Sequence, residues 1–258
     1  MANLFDSPRC MLARAKHHIQ DVKSQVDAYI KSKPGTYAVE IDPDGFHKLH
    51  KVRFIRPPEI IANIVFDAAN NLRATLDQAG YASAVAANSS SLKATKFPFA
   101  PDAIKFGQNV IGGCKDLPPA IRTLFASFKS YKGGNDILWA MNELCNTSKH
   151  LSLVPVSLKR GAMGWVKVTP KIFGALAPNK INFPKWDPEK HEIIFDRTHP
   201  LTDLQFDADS DLKFSVAVEA IEVVRSEPLI GILNNMALEV ESILLATEAE
   251  CRRVGFIV

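Results

Sequence analysis

The sequence is poor in the residues that most openly declare a chemistry. It has only 4 cysteines in 258 residues. They stand at Cys10, Cys114, Cys145 and Cys251, with no CxxC pair among them. That spacing excludes a zinc ribbon or a thioredoxin-type redox site and suits small apolar side chains in a reducing compartment. Charge of one sign is also missing. Lys and Arg number 31 against 28 Asp and Glu, a net +3. A protein that coats nucleic acid by bulk electrostatics needs more, although a local basic patch does not. Long apolar runs are absent too. The amino-terminal MANLFDSPRCMLARAKHH lacks an apolar core followed by a small-residue cleavage site, so no signal peptide is expected. The most apolar stretch, Pro228 to Thr247, is broken by Asn234, Asn235, Glu239 and Glu241, which argues against a membrane span. A soluble, cytoplasmic protein without membrane partners is expected. GxxxxGK[ST], a helix-opening GxGxxG, GxSxG and HExxH are all lacking, which removes the usual signatures of several large enzyme classes.

What is present suits an ordinary globular chain: 47% of residues are hydrophobic and 23% charged. Ser7-Pro8 predicts a helix start, Pro34-Gly35 its stop, and Leu12, Ala15, Ile19, Val22, Val26 and Ile30 recur at helical spacing between them. Two strands, 36–41 and 48–55, flank the hairpin turn Asp42-Pro43-Asp44-Gly45. A second long helix is expected from Pro57 to about Ala86, then shorter ones near 101–110, 117–129 and 135–150. Strand patterns follow at 151–158, 164–169, 192–196 and 212–224, and a last helix runs from 228 to 253. No linker or repeat divides the chain. The expectation is one α+β domain over 1–258. It joins a helical bundle (about 57–150 plus 228–253) to antiparallel strands (about 36–55 and 151–224) in one sheet.

The segment richest in chemistry is LWAMNELCNTSKHLSL, Leu138 to Leu153. On a helix, Asn142, Asn146 and either Lys149 or His150 share a face, and Asn146 and His150, four apart, can point at one spot. Its plainer reading is a helix end, where Lys and His complement the dipole. On the second long helix Asn70, Arg73 and Asp77 share a polar face. An exposed Arg73–Asp77 ion pair there would contribute about 0.3–0.5 kcal/mol.

These two helices together, NNLRATLDQ (Asn70 to Gln78) and NELCNTSKH (Asn142 to His150), resemble a group of bacterial proteins. In that group an NLRSALDH-type motif precedes an LxNxDKH-type motif. Their helical core is similar to the HEPN superfamily, whose active members are metal-independent RNases. The hallmark of that superfamily is Arg, a polar residue, three variable residues, then His. Asn146 to His150 supplies the Asn-x-x-x-His part, and Cys145 stands where the Arg would be. The resemblance spans about residues 57–150. It implies a HEPN-like bundle, a homodimer, RNA as partner, and a toxin–antitoxin or phage-defence effector with a cognate protein partner. It implies no cofactor and no metal.

The chemistry of such a cleavage assigns roles. A base must take the 2′-hydroxyl proton, an acid must protonate the leaving oxygen, and positive charge must hold the phosphate. His150 carries an imidazole, which titrates near neutral pH. Lys149 or Arg73 supplies charge, Asn146 orients phosphate or sugar, and Asp77 steadies Arg73 or the histidine. The alternative is a non-catalytic binding or dimerisation module that has lost the Arg. A third reading, a small-molecule hydrolase pairing His150 with Asp77, has only Ser148 and Cys145 as nearby nucleophiles.

The remaining clusters carry less. A strand reading puts His47 and His50 on opposite faces, and His17 and His18 diverge on a helix, so neither pair chelates metal. Asp207 to Asp211 begins like a calcium loop, yet Leu212 replaces its glycine and Val218 its final carboxylate. The basic run Lys48, Lys51, Arg53, Arg56 reads as a protected sheet edge, or else as a phosphate-contacting strip.

Overall fold

A computed structural model describes residues 4–146, 153–157, 167–168, 185–187, 189–200, 204–205, 214–218, 221–224 and 227–258. The fold is α+β. Six helices are described: α1 (Asp6–Lys31), α2 (Glu59–Ala86), α3 (Ala103–Gly112), α4 (Pro119–Ser127), α5 (Asp136–Asn146) and α6 (Leu229–Arg253). The strands are β1 (Gly35–Ile41), β2 (Lys48–Phe54), β3 (Leu153–Ser157), β4 (Lys167–Val168), β5 (Lys185–Asp187), β6 (Glu192–Thr198), β7 (Leu204–Gln205) and β8 (Phe214–Val218). The chain divides into two compact units built from discontinuous segments: 1–25, 59–152 and 218–258 in one, 26–58 and 153–217 in the other.

In the first unit α6 packs against α2, α4 and α5, and α2 packs against α5. The stripe expected on α2 is the one that is buried, with Ile61, Val65, Ala68, Leu72, Leu76 and Ala79 all inside, while Ile60 is left exposed. From α6, Leu229, Ile232, Leu233, Met236, Val240, Ile243 and Leu244 fill the same core. By length and composition α6 could cross a membrane, contrary to the reading of 228–247 as too polar; its apolar side here lies within the unit. Ion pairs from Arg9 to Glu248 and from Lys16 to Glu241 (2.7 Å) tie α1 to α6. Ser7 does not cap α1, which begins one residue earlier; its hydroxyl donates to Gln78 Oε1 of α2 at 2.7 Å.

One close approach shapes this unit. Gly80 sits where α2 is crossed by residues 95–97, and a Cβ there would overlap the Thr95 carbonyl oxygen. Asp77, one turn earlier, accepts the Phe97 N–H at 2.9 Å. The Phe97 ring then meets Phe99 and Phe125, with centroids 5.0 and 4.8 Å away.

In the second unit β1 and β2 form the predicted hairpin, in register from Gly35↔Phe54 to Ile41↔Lys48. Gly45 adopts φ +74°, a conformation that glycine reaches without strain, and Asp44 accepts the Phe46 and His47 N–H groups. Among the described residues the strands form three sheets, ordered β1-β2-β6-β5, β3-β8 and β4-β7, rather than one. Within the expected strand at 212–224 the described residues form β8 and a 3-10 turn, Glu222–Val224, beside which Ile221 and Val224 are buried three residues apart. The short β5 and β7 had no sequence signal strong enough to anticipate them.

The basic run is neither an edge nor a free strip. β2 is an inner strand, paired to β1 on one side and β6 on the other. Lys51 is buried, its ammonium bound to Glu192 Oε1 at 2.7 Å and to Glu40. Arg53 also binds Glu40 and Glu192. On the opposite face His50, equally buried, lies between the Tyr37 hydroxyl (2.6 Å) and Thr198 Oγ1 (2.8 Å). His47 instead binds Asp44. Among the described residues no group of three His, Cys, Asp or Glu could hold a metal ion. The acidic turn Asp207–Asp211 lies outside the described residues.

Candidate functional site

The two recognised segments meet where α2 and α5 pack. Arg73 lies mid-helix on the partly exposed side of α2, between buried Leu72 and Leu76, so its long side chain reaches out toward the end of α5. There its Nη1 donates to Asn146 Oδ1 at 3.4 Å, a long contact, and its guanidinium carbon lies 5.5 Å from the Phe99 ring centroid. The same guanidinium carries its charge close to the Cys145 thiol. Burial pushes the Cys145 thiol up to about 11, against the pull of the neighbouring guanidinium. The thiol therefore stays protonated at neutral pH and is a poor nucleophile.

Asp77 feels the charge of Arg73 without bonding to it. No ion pair within 4 Å joins the two; the carboxylate faces the Phe97 N–H, and burial raises its pKa. The expected Arg73–Asp77 pair is thus replaced by a backbone anchor. The hydrolase reading pairs Asp77 with His150, which lies outside the described residues. Asn70 is likewise occupied by its own helix, donating to the Phe66 carbonyl at 3.0 Å. Arg73 and Asn146 come together, then, while Asp77 and Asn70 are engaged elsewhere. Ser148, Lys149 and His150 lie outside the described residues, and so does any statement of their geometry.

The structure adds two residues to this face. Asn142, one turn before Asn146, is 8% exposed, and its Oδ1 has no hydrogen-bond partner. Trp139, three residues earlier again, buries an indole Nε1 that also lacks one. Lys132 sits 5.4 Å above the Trp139 ring and pairs with Glu222 at 3.2 Å. The sequence placed Asn142 on the face of Asn146. Trp139 carries the same signal, being seven residues from Asn146, but an aromatic at helical spacing reads first as core. Phe99 had no such signal, since only the crossing at Gly80 brings it under Arg73.

The arrangement offers a cation with several unused N–H groups, a primary amide beside it, and two unsatisfied polar atoms further along the helix. Such a set binds an anion that carries hydrogen-bonding groups. No protein-family model matches the chain, and comparisons with curated proteins and with solved structures find no significant match.

Proposed function

We propose that this protein is a HEPN-like RNA-cleaving effector, of the toxin–antitoxin or phage-defence kind, in which Arg73 supplies from α2 the positive charge that Cys145 does not. The observation that carries this reading is the Arg73–Asn146 contact, with the Cys145 thiol within the influence of the same guanidinium. The missing cation of the motif is thereby met by one from the neighbouring helix. In the reaction, His150 takes the proton of the 2′-hydroxyl, whose oxygen attacks the adjacent phosphorus. As that bond forms, the bond to the 5′-oxygen breaks, and the leaving oxygen takes a proton from the imidazolium. Arg73 and Lys149 stabilise the charge on the phosphate oxygens, and Asn146 orients one of them.

Purified protein incubated with single-stranded RNA and EDTA should give 2′,3′-cyclic phosphate ends. Arg73→Ala should lower the rate about 10²-fold, the effect of removing one preorganised donor. His150→Ala should abolish it. No cleavage by wild type, or equal cleavage by wild type and Arg73→Ala, rejects the reading. The second reading, a non-catalytic dimerisation module, is supported by Leu238 and Leu245, a heptad apart on α6 and 62% and 57% exposed. It predicts no cleavage, together with a homodimer that Leu238→Glu dissociates in analytical ultracentrifugation.

A further inference from the structure

β1 lies at one end of the sheet β1-β2-β6-β5, and β5 lies at the other. The two edges are built differently. β5 is three residues long and begins with Lys185, and Pro184 and Pro188 flank it in the sequence; short length, lysine and proline all discourage a further strand. β1 is seven residues long, with no proline, no lysine and an unbroken register to β2. Hydrogen bonds at the two ends of the hairpin establish which of its backbone groups face outward. The Asp42 N–H donates to the His47 carbonyl at 2.7 Å, and the Ile55 N–H to the Pro34 carbonyl at 3.0 Å. Bonded pairs in an antiparallel ladder recur at every second residue. Even-numbered residues of β1 therefore turn their N–H and C=O groups to β2, and odd-numbered ones turn theirs away. Among the described residues no backbone group reaches those of Val39 and Ile41. Their side chains, on the face that carries Tyr37, are 44% and 61% exposed.

We propose that the β1 edge joins a second copy of this chain, antiparallel and with Val39 on the two-fold axis, so that the two sheets run on as one. In that register Val39 meets Val39, and Ile41 of each copy faces Tyr37 of the other, which covers both exposed apolar side chains of the strand. Glu40, already bound to Lys51 and Arg53, falls opposite Ala38. Moving the axis to Glu40 would set two carboxylates against each other. Moving it to Ala38 would set Ile41 against Gly35, which has no side chain to cover it. Pro43, opposite Gly35, ends the pairing because it has no N–H to give. The strand is thus complementary to itself, as a two-fold contact requires. The inference does not depend on the RNA-cleaving reading, and the surface it names is not the exposed face of α6.

Sedimentation velocity on the full chain should show a dimer that persists in Leu238→Glu and is lost in two variants of the edge. Val39→Pro removes an outward N–H at the axis and leaves the bonds between β1 and β2 in place, since proline is tolerated where an edge strand faces solvent. Ile41→Lys keeps the backbone whole and puts a charge where Tyr37 of the other copy would lie, so it carries the test if the proline variant does not fold. Amide exchange followed by NMR then locates the contact. In wild type the Val39 and Ile41 N–H groups should be protected as well as those of Ala38 and Glu40, which bond to β2. In Ile41→Lys the Val39 N–H should exchange about 100-fold faster, while Ala38 and Glu40 keep their protection. A monomeric wild type, a dimer that Leu238→Glu dissociates, a dimer untouched by Ile41→Lys, or fast exchange at Val39 in the wild-type dimer overturns the proposal.

Discussion

Asp77 binds a peptide N–H instead of the arginine one turn away, and that choice determines what its replacement does. Asp77→Ala deletes the acceptor of the Phe97 N–H and should cost about 1–3 kcal/mol in denaturant unfolding. Asp77→Asn keeps a carbonyl oxygen for that N–H and removes a buried charge, so it should be near neutral or stabilising at pH 7. The sign follows from the raised pKa of this carboxylate. The folded state holds its proton to higher pH than the unfolded state, so the stability contribution falls as pH rises through the shifted range. Asn should flatten that slope. Gly80→Ala belongs to the same crossing. Its methyl would meet the Thr95 carbonyl, a backbone atom with little freedom to move, and about 1–3 kcal/mol of overpacking should appear as a lower denaturation midpoint.

Among the elements, β2 shows how tertiary pairing reverses a strand's meaning. Its basic residues would protect an exposed edge; inside a sheet they need anions, and Glu40 and Glu192 provide them from the strands on either side. A buried ion pair is expensive to half-dismantle because the remaining charge has lost its water. Lys51→Met should therefore destabilise the protein by about 3 kcal/mol in urea, with the slope of the unfolding curve unchanged, while Lys51→Met with Glu192→Leu should recover much of that loss. α5 shows the complementary case. Its apolar residues and its polar Asn142–Asn146 face were legible from periodicity, because helical geometry alone puts residues four apart together. That Arg73 would come to Asn146, 73 residues away, followed only from the resemblance and not from local pattern, since it depends on how the two helices are packed.

At the scale of the whole molecule, two quantities gather the local effects. Burial lowers the pKa of His50 from its ordinary 6.5, with Asp196 opposing the shift. Unfolded chains then take up a proton at higher pH than folded ones, so this group's contribution is complete above about pH 6.5 and is lost as pH falls below it. Tm should decline from pH 7 to 5, and His50→Gln should reduce the decline; an identical profile in the variant would remove His50 as the cause. The second quantity is charge. A net +3 on 258 residues suits a few phosphate contacts rather than a wrapped strand. If Arg73 and Lys149 neutralise two phosphates, log Kd for single-stranded RNA should change with log salt with a slope of about 1.4, at roughly 0.7 per phosphate. A slope of 4 or more would place the binding on a much larger surface.

Short-range physics accounts for what the sequence determined by itself. Helical spacing in α1, α2, α4, α5 and α6, the Asp-Pro-Asp-Gly hairpin and the α+β class all rest on contacts within a few residues, which the chain encodes locally. The division into three sheets, the inner position of β2, the turn of Asp77 toward Phe97 and the approach of Arg73 to Asn146 each join groups far apart along the chain. The same side chain has several partners that local sequence allows. Which one it takes is decided by the backbone brought beside it: at Gly80 a crossing segment close enough to present a peptide N–H to Asp77, and at Leu72 and Leu76 a packed core that turns Arg73 outward to the end of α5.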